Sequence, residues 1–183
     1  MTQITYPSDV TGSLQIAQGS DGRLNVSGRV DSRSYYNSRD RGQTYSLVFD
    51  DADAAVADYF CYLQNTSTDK ELVLDAIGIN STVACSIKLA FVTGTAAGSS
   101  SLTPVNLNKQ SSNAAAATAR GDGAVTGLTE DGVIDLAMVT AGGHEEFRLK
   151  ERVRLGQNDA IALEYDRAAG NGIVEGVIFF YYE

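Results

Sequence analysis

The chain has 183 residues, 43% hydrophobic and 20% charged, a size at which a single domain buries about 70% of the surface its unfolded form exposes. Fourteen lysines and arginines against 23 aspartates and glutamates leave a formal charge of −9, the wrong sign for a protein that holds nucleic acid by neutralising phosphates. One histidine, His144, and two cysteines, Cys61 and Cys85, cannot build a four-ligand zinc centre, and no run approaches the roughly 18 apolar residues of a membrane helix, so the expectation is a soluble domain with no cofactor and no metal.

Residues 1–22 are polar and carry Pro7, Gly12, Gly19 and Gly22, which predicts an extended N-terminal arm, and Met1–Val10 lacks the basic start and apolar stretch of an export signal. Residues 23–183 predict a single β-sandwich domain. Its alternation has a period of two: Leu24, Val26 and Val30, then Tyr45, Leu47 and Phe49, then most cleanly Val83, Cys85, Ile87, Leu89 and Phe91. Val56–Leu63, Leu72–Ile79 and Ile173–Tyr182 are apolar on both faces, as in central strands or strands that meet another subunit. Residues 93–129 are rich in Gly, Ser, Thr and Ala, and predict a long functional loop with strand-like pieces near Val105 and Ala114–Thr118. Further strands follow at Ile134, Leu136 and Met138, at Phe147, Leu149, Val153 and Leu155 with Glu151 breaking the row, and at Ile161, Leu163 and Tyr165. Helix is limited to a turn or two in the alanine-rich pieces Ala52–Ala57 and Ala114–Ala119.

Closely spaced strands without intervening helices predict an all-β fold, an antiparallel two-sheet sandwich, for which the jelly roll is the commonest closure at this length. Gly156–Asp159 and Ala169–Gly172 have hairpin chemistry. Setting Leu155 opposite Ile161 in the first places Arg152 against Glu164 and Lys150 against Asp166, pairs of about 0.2–1 kcal/mol each. The unpaired ends of that basic stripe, Arg148 and Arg154, are then candidates for contact with an acidic partner.

Catalytic chemistry finds little purchase. Asp50, Asp51, Asp53 and Asp58, and Glu130–Asp131–Gly132, lack the spaced ligands of a calcium loop, and read as solvated turn acids. No Gly-x-Ser-x-Gly elbow accompanies His144, so the chain is not expected to be an enzyme. Cys61 and Cys85 read as small buried free thiols. Arg120–Gly121–Asp122 and the acceptor sequences at Asn25, Asn65 and Asn80 receive no role. The aromatic inventory favours interaction instead. Tyr35 and Tyr36 lie among Arg33, Arg39 and Arg41, and four consecutive rings, Phe179 to Tyr182, must point to both faces of a strand. Tyr35, Tyr36, Tyr181 and Tyr182, with Arg148 and Arg154, are the expected partner-binding residues.

With its Ser34-Tyr35-Tyr36 turn, Val92-Thr93-Gly94-Thr95-Ala96-Ala97-Gly98 and Thr103-Pro104-Val105-Asn106-Leu107-Asn108-Lys109, this Ala, Gly, Ser and Thr-rich chain resembles small virion proteins of tailed bacteriophages. Among them it most resembles jelly-roll decoration or cement proteins. The resemblance implies a structural protein that is made in the bacterial cytoplasm, often trimeric, and bound to the major capsid protein or another virion protein. The arm and residues 93–129 would make the contacts. The alternatives are a tail-fibre or receptor-binding head domain that recognises a host glycan, and an enzyme acting on polysaccharide, for which two carboxylates would have to converge in a cleft.

Overall fold

A computed structural model describes Thr5–Tyr6, Gln15–Ile16 and residues 32–183 except Ala169. Residues 1–31 and 32–183 are separate compact units. In the first, β1 (Thr5–Tyr6) pairs antiparallel with β2 (Gln15–Ile16), Thr5 opposite Ile16. The remainder of the expected arm, and the expected strand at Leu24, Val26 and Val30, lie outside the described residues.

The second unit is a sandwich of two antiparallel sheets, as the alternation predicts. It opens with a short helix, α1 (Arg33–Tyr36), continued by a π turn over Asn37–Arg41. The strands that follow are β3 (Thr44–Ala54), β4 (Tyr59–Asn65), β5 (Leu72–Ser81), β6 (Cys85–Ala97), β7 (Ser100–Leu102), β8 (Val105–Asn106), β9 (Ala117–Val139), β10 (Gly143–Leu155), β11 (Ala160–Ala168) and β12 (Gly172–Tyr182). The first sheet runs β10-β5-β12-β3-β8 and the second β4-β11-β6-β9-β7. Successive long strands therefore alternate between the sheets except for β6 and β9, which share the second, and β11 and β12 are inserted between strands laid down much earlier.

Side chains from the two sheets meet between them in one buried core. Tyr45, Leu47 and Phe49 form one fully inward row, and Ile161, Leu163 and Tyr165 another, both as their alternation requires. Phe49 of β3 meets Phe60 of β4 across the layer, ring centroids 5.8 Å apart. Asn65 is buried but satisfied: its amide donates to the Lys70 and Leu155 carbonyls at 2.8 Å each and accepts from the Ser67 N–H at 2.9 Å. That burial closes it to solvent as a modification acceptor.

Four local expectations are corrected. The turn Gly156–Asp159 is not a hairpin within one sheet, because β10 pairs with β5 while β11 pairs with β4 and β6. Leu155 and Ile161 both point into the core from opposite layers, so their common apolar face identifies a shared interior without identifying a shared ladder. Ala169–Gly172 likewise connects the two sheets. Residues 93–129 are not one long loop: β6 continues to Ala97, β8 covers the piece near Val105, and β9 starts at Ala117. The alanines of both expected helical turns fall in strands or connections, and α1 forms instead where Ser32 caps the Tyr35 N–H and Gly42 closes the π turn at φ +59.

β9 gives the second sheet its shape. Its first half pairs with β4, from Asn65 opposite Ala117 to Tyr59 opposite Val125, and its second half with β6, from Ala97 opposite Thr126 to Cys85 opposite Val139. The path β4-β11-β6-β9 thus closes on itself. Closure needs a sharp change of direction in β9, and Gly127 (φ +77) supplies it where a Cβ would strike the Thr95 carbonyl oxygen. Inside the closed part Tyr62, Val92, Val125, Ala160 and Ala162 form a second small core.

Candidate functional site

The expected pair Tyr35 and Tyr36 sits on the helical turn between Ser32 and Gly42. Each ring carries an arginine: the Arg39 guanidinium lies 5.3 Å from the Tyr35 centroid and that of Arg41 5.3 Å from Tyr36. Arg39 also bonds Asp40 at 2.7 Å, which holds the Asp40 carboxyl below its usual range. The turn is pinned from behind by asparagines of the 106–113 connection. Asn106 donates to the Gly42 carbonyl at 2.8 Å, Asn108 to that of Ser38 at 2.8 Å, and Asn113 to that of Arg41 at 3.1 Å. Leu107 and Lys109 are exposed on that connection. The result is a hydrogen-bonded turn that exposes Tyr35, Arg39 and Arg41 on an acidic protein.

The other expected residues are placed differently. Arg154 is not an unpaired end of a stripe: it bonds Glu71 at 3.0 Å and Glu183 at 2.7 Å, and Arg33 reaches Glu183 at 2.9 Å. These hydrogen bonds raise the Arg154 pKa. The network borders a cleft of about 410 Å³ lined by Asp69, Lys70, Glu71 and Glu183. Arg148 stays exposed and bonds its own neighbour Glu146 at 2.9 Å. The pair expected for Arg152 with Glu164 does not form, since Glu164 belongs to the other sheet and bonds Lys88, and the expected pair of Lys150 with Asp166 lies outside the described side chains.

The terminal rings are largely interior, which corrects the expectation that Tyr181 and Tyr182 present themselves to a partner. Tyr182 stands edge-on to Tyr45 and Phe180, at 5.7 and 6.1 Å, and Tyr45 stacks on Phe180 at 5.4 Å. Tyr181 points the opposite way and is also buried. Burial raises both phenol pKa values, with the Glu151 and Glu183 carboxylates adding to the effect at Tyr181. Of the four rings Phe179 alone keeps partial exposure.

The exposed apolar surface lies elsewhere. On the outer face of the first sheet Val177 is opposite Val48, Phe179 opposite Ser46, and Ser46 opposite Val105. Val48 is 67% and Val105 61% exposed. On the second sheet Val133, Leu136 and Met138 of β9 are 54%, 50% and 68% exposed. Alternation had grouped Ile134 with Leu136 and Met138, but the register against β6 skips Ile134, and this bulge turns Ile134 towards the core while the other two face out. Beside them Lys88 bonds Glu130 and Glu164 at 2.7 Å each. Burial lowers the Lys88 pKa, the two carboxylates raise it, and the net shift is upward. Lys88 alternates with the apolar row Cys85, Ile87 and Leu89 and so lies on the opposite face of β6, opposite Leu136.

The remaining chemistry-bearing residues do not converge. Asp51 is buried, accepts the Asp53 N–H at 3.0 Å, and has its pKa raised by burial, then by the Asp58, Asp122 and Asp53 charges. No group of three potential ligands around a metal occurs among the described residues. His144 Nδ1 meets Asn80 Oδ1 at 2.8 Å. Cys61 and Cys85 are free and buried, and burial raises the Cys61 thiol pKa. Arg120–Gly121–Asp122 is part of β9, with Arg120 donating to the Ser99 carbonyl at 2.8 Å. A second cleft of about 340 Å³ opens beside Tyr45, Asp69, Lys70, Asn113 and Tyr182. The chain matches no protein-family model, no curated protein and no solved structure.

Proposed function

We propose that the chain is a non-enzymatic virion structural protein, a decoration or cement protein that binds the outer surface of a phage capsid and stabilises it. It would be made in the bacterial cytoplasm and act as a homo-oligomer on the virion. The observation that carries this reading is the exposed apolar β-surface, with Val48 and Val105 on the first sheet and Val133, Leu136 and Met138 on the second. Clustered apolar side chains on an outer sheet face mark contact with other protein, because each costs free energy while it faces water. The strand order supports the finer reading. The eight long strands β3, β4, β5, β6, β9, β10, β11 and β12 are taken in order as first to eighth. They then form sheets 1-8-3-6 and 2-7-4-5, the interleaving of a jelly roll. A rigid body of this kind bridges capsomers without moving parts.

Labelling virions with an antibody to the chain tests the proposal. Many copies distributed over the head are expected, and label absent from the virion overturns it. Purified Val48→Glu protein should keep its fold and lose retention on capsid shells. The glycan-binding alternative is favoured by the cleft beside Tyr45, Lys70 and Tyr182, whose buried hydroxyl has no hydrogen-bond partner among the described residues. A few labelled copies at the tail, together with binding to cell-wall glycan, would replace the decoration reading with that one.

A further inference from the structure

Two surfaces of this chain are complementary to each other. The first is the β9 row Val133, Leu136 and Met138, flanked by the exposed carboxylates of Asp131 and Asp135. The second is the projecting turn, where Tyr35 and Leu107 are exposed beside Arg39, Arg41 and Lys109, a local cationic surplus on a chain of net charge −9. Apolar and methionine contacts bordered by acids on one side, and aromatic and arginine contacts bordered by cations on the other, are the composition of a steered protein interface. The contact is made by side chains and not by strand addition. β9 skips Asp131 and Ile134 in its register with β6, and bulges together with outward acids are devices that stop an edge from extending its ladder.

We propose that the acidic apolar row of β9 on one copy receives the basic aromatic turn at residues 35–41 and 107–109 of a second copy. The contact is heterologous, so its repetition builds a ring where the rotation closes and a filament where it does not. It deepens the reading above, resting on its homo-oligomeric part, and it is tested on purified protein without any shell. Sedimentation equilibrium of the full chain should show an oligomer that weakens as salt is raised. Met138→Asp, Asp135→Arg and Arg41→Glu should each raise the dissociation constant by about tenfold or more. All three positions are exposed, and circular dichroism checks that each variant is folded. The double variant Asp135→Arg with Arg41→Glu, which reverses both charges, should recover association to within about threefold of the natural chain.

A chain that stays monomeric at about 100 μM overturns the proposal, as does an oligomer indifferent to Arg41→Glu or a reversal that restores nothing. If the monomer requires Met138 to bind shells, the row faces the shell and the self-contact is overturned while the decoration reading stands. If the oligomer forms as expected and virions carry no label, the decoration reading fails and the self-contact stands.

Discussion

The two sheets carry equally apolar strands and dispose of their outer faces in opposite ways. In the second sheet β9 turns over the face, and Val92, Ala160 and Ala162 become interior to a small core sealed by Tyr62 and Val125. In the first sheet none of the described strands doubles back, and Val48 and Val105 are exposed beside Val177 and Phe179. Composition alone does not separate the cases. The difference is the backbone freedom at Gly127 and the small side chains beneath the fold-over, against β-branched and aromatic side chains on a face left open. A face closed by its own chain contributes to folding, and a face left open is available for association.

The contrast is broken most strongly at Lys88. Lys88→Met leaves Glu130 and Glu164 together without their shared cation, and should lower unfolding free energy at pH 7 by about 3 kcal/mol in urea titrations. Because the folded state raises the Lys88 pKa, its contribution is complete below the ordinary lysine value near 10.4 and fades as pH climbs through the higher folded value. The gap between natural and variant protein should therefore hold from pH 7 to about 10 and narrow above it. Val125→Ala removes two methyl groups from the closed core and should cost about 2 kcal/mol by the same measurement.

Asp51→Asn has the opposite sign. Burial raises the folded Asp51 pKa, so the natural residue stabilises at pH below the unfolded value near 3.9 and loses that contribution as pH rises through the folded one. The variant should gain under about 1 kcal/mol at pH 7 and flatten the stability profile between pH 4 and 7. The smallest effect is expected at the open face. Val48→Ala should change stability by less than about 0.5 kcal/mol, and a cost like that of Val125→Ala would show that the first sheet's face is sealed after all.

Sheet content and inward rows were legible because each reports a one-dimensional pattern. Tyr45, Leu47 and Phe49 are inward whatever strand lies beside them. Partners were less legible. Leu155 and Ile161 share the interior from facing layers, and an alternation rule cannot distinguish that from a ladder, so the pairs built on it dissolved. The exposed row on β9 was hidden by the bulge at Ile134, a backbone event with no composition of its own. The turn holding Tyr35 and Tyr36 has its signal in Ser32 at the N-cap and Gly42 at the C-terminal end, outside any apolar alternation. The burial of Tyr181 and Tyr182 was beyond reach, since four successive rings reveal that both faces are occupied and not by what.

Late insertion of β11 and β12 has a consequence for how the molecule comes into being. β11 enters between β4 and β6, and β12 between β5 and β3, so the middle of each layer is supplied by a strand that follows both of its neighbours in the chain. Until those two strands are in place, four edges stand open with nothing to zip against, and the distant pairings they await are intrinsically slow to form. Each layer is thus completed from its middle outward, when β11 and β12 enter and join two half-built sheets into one body.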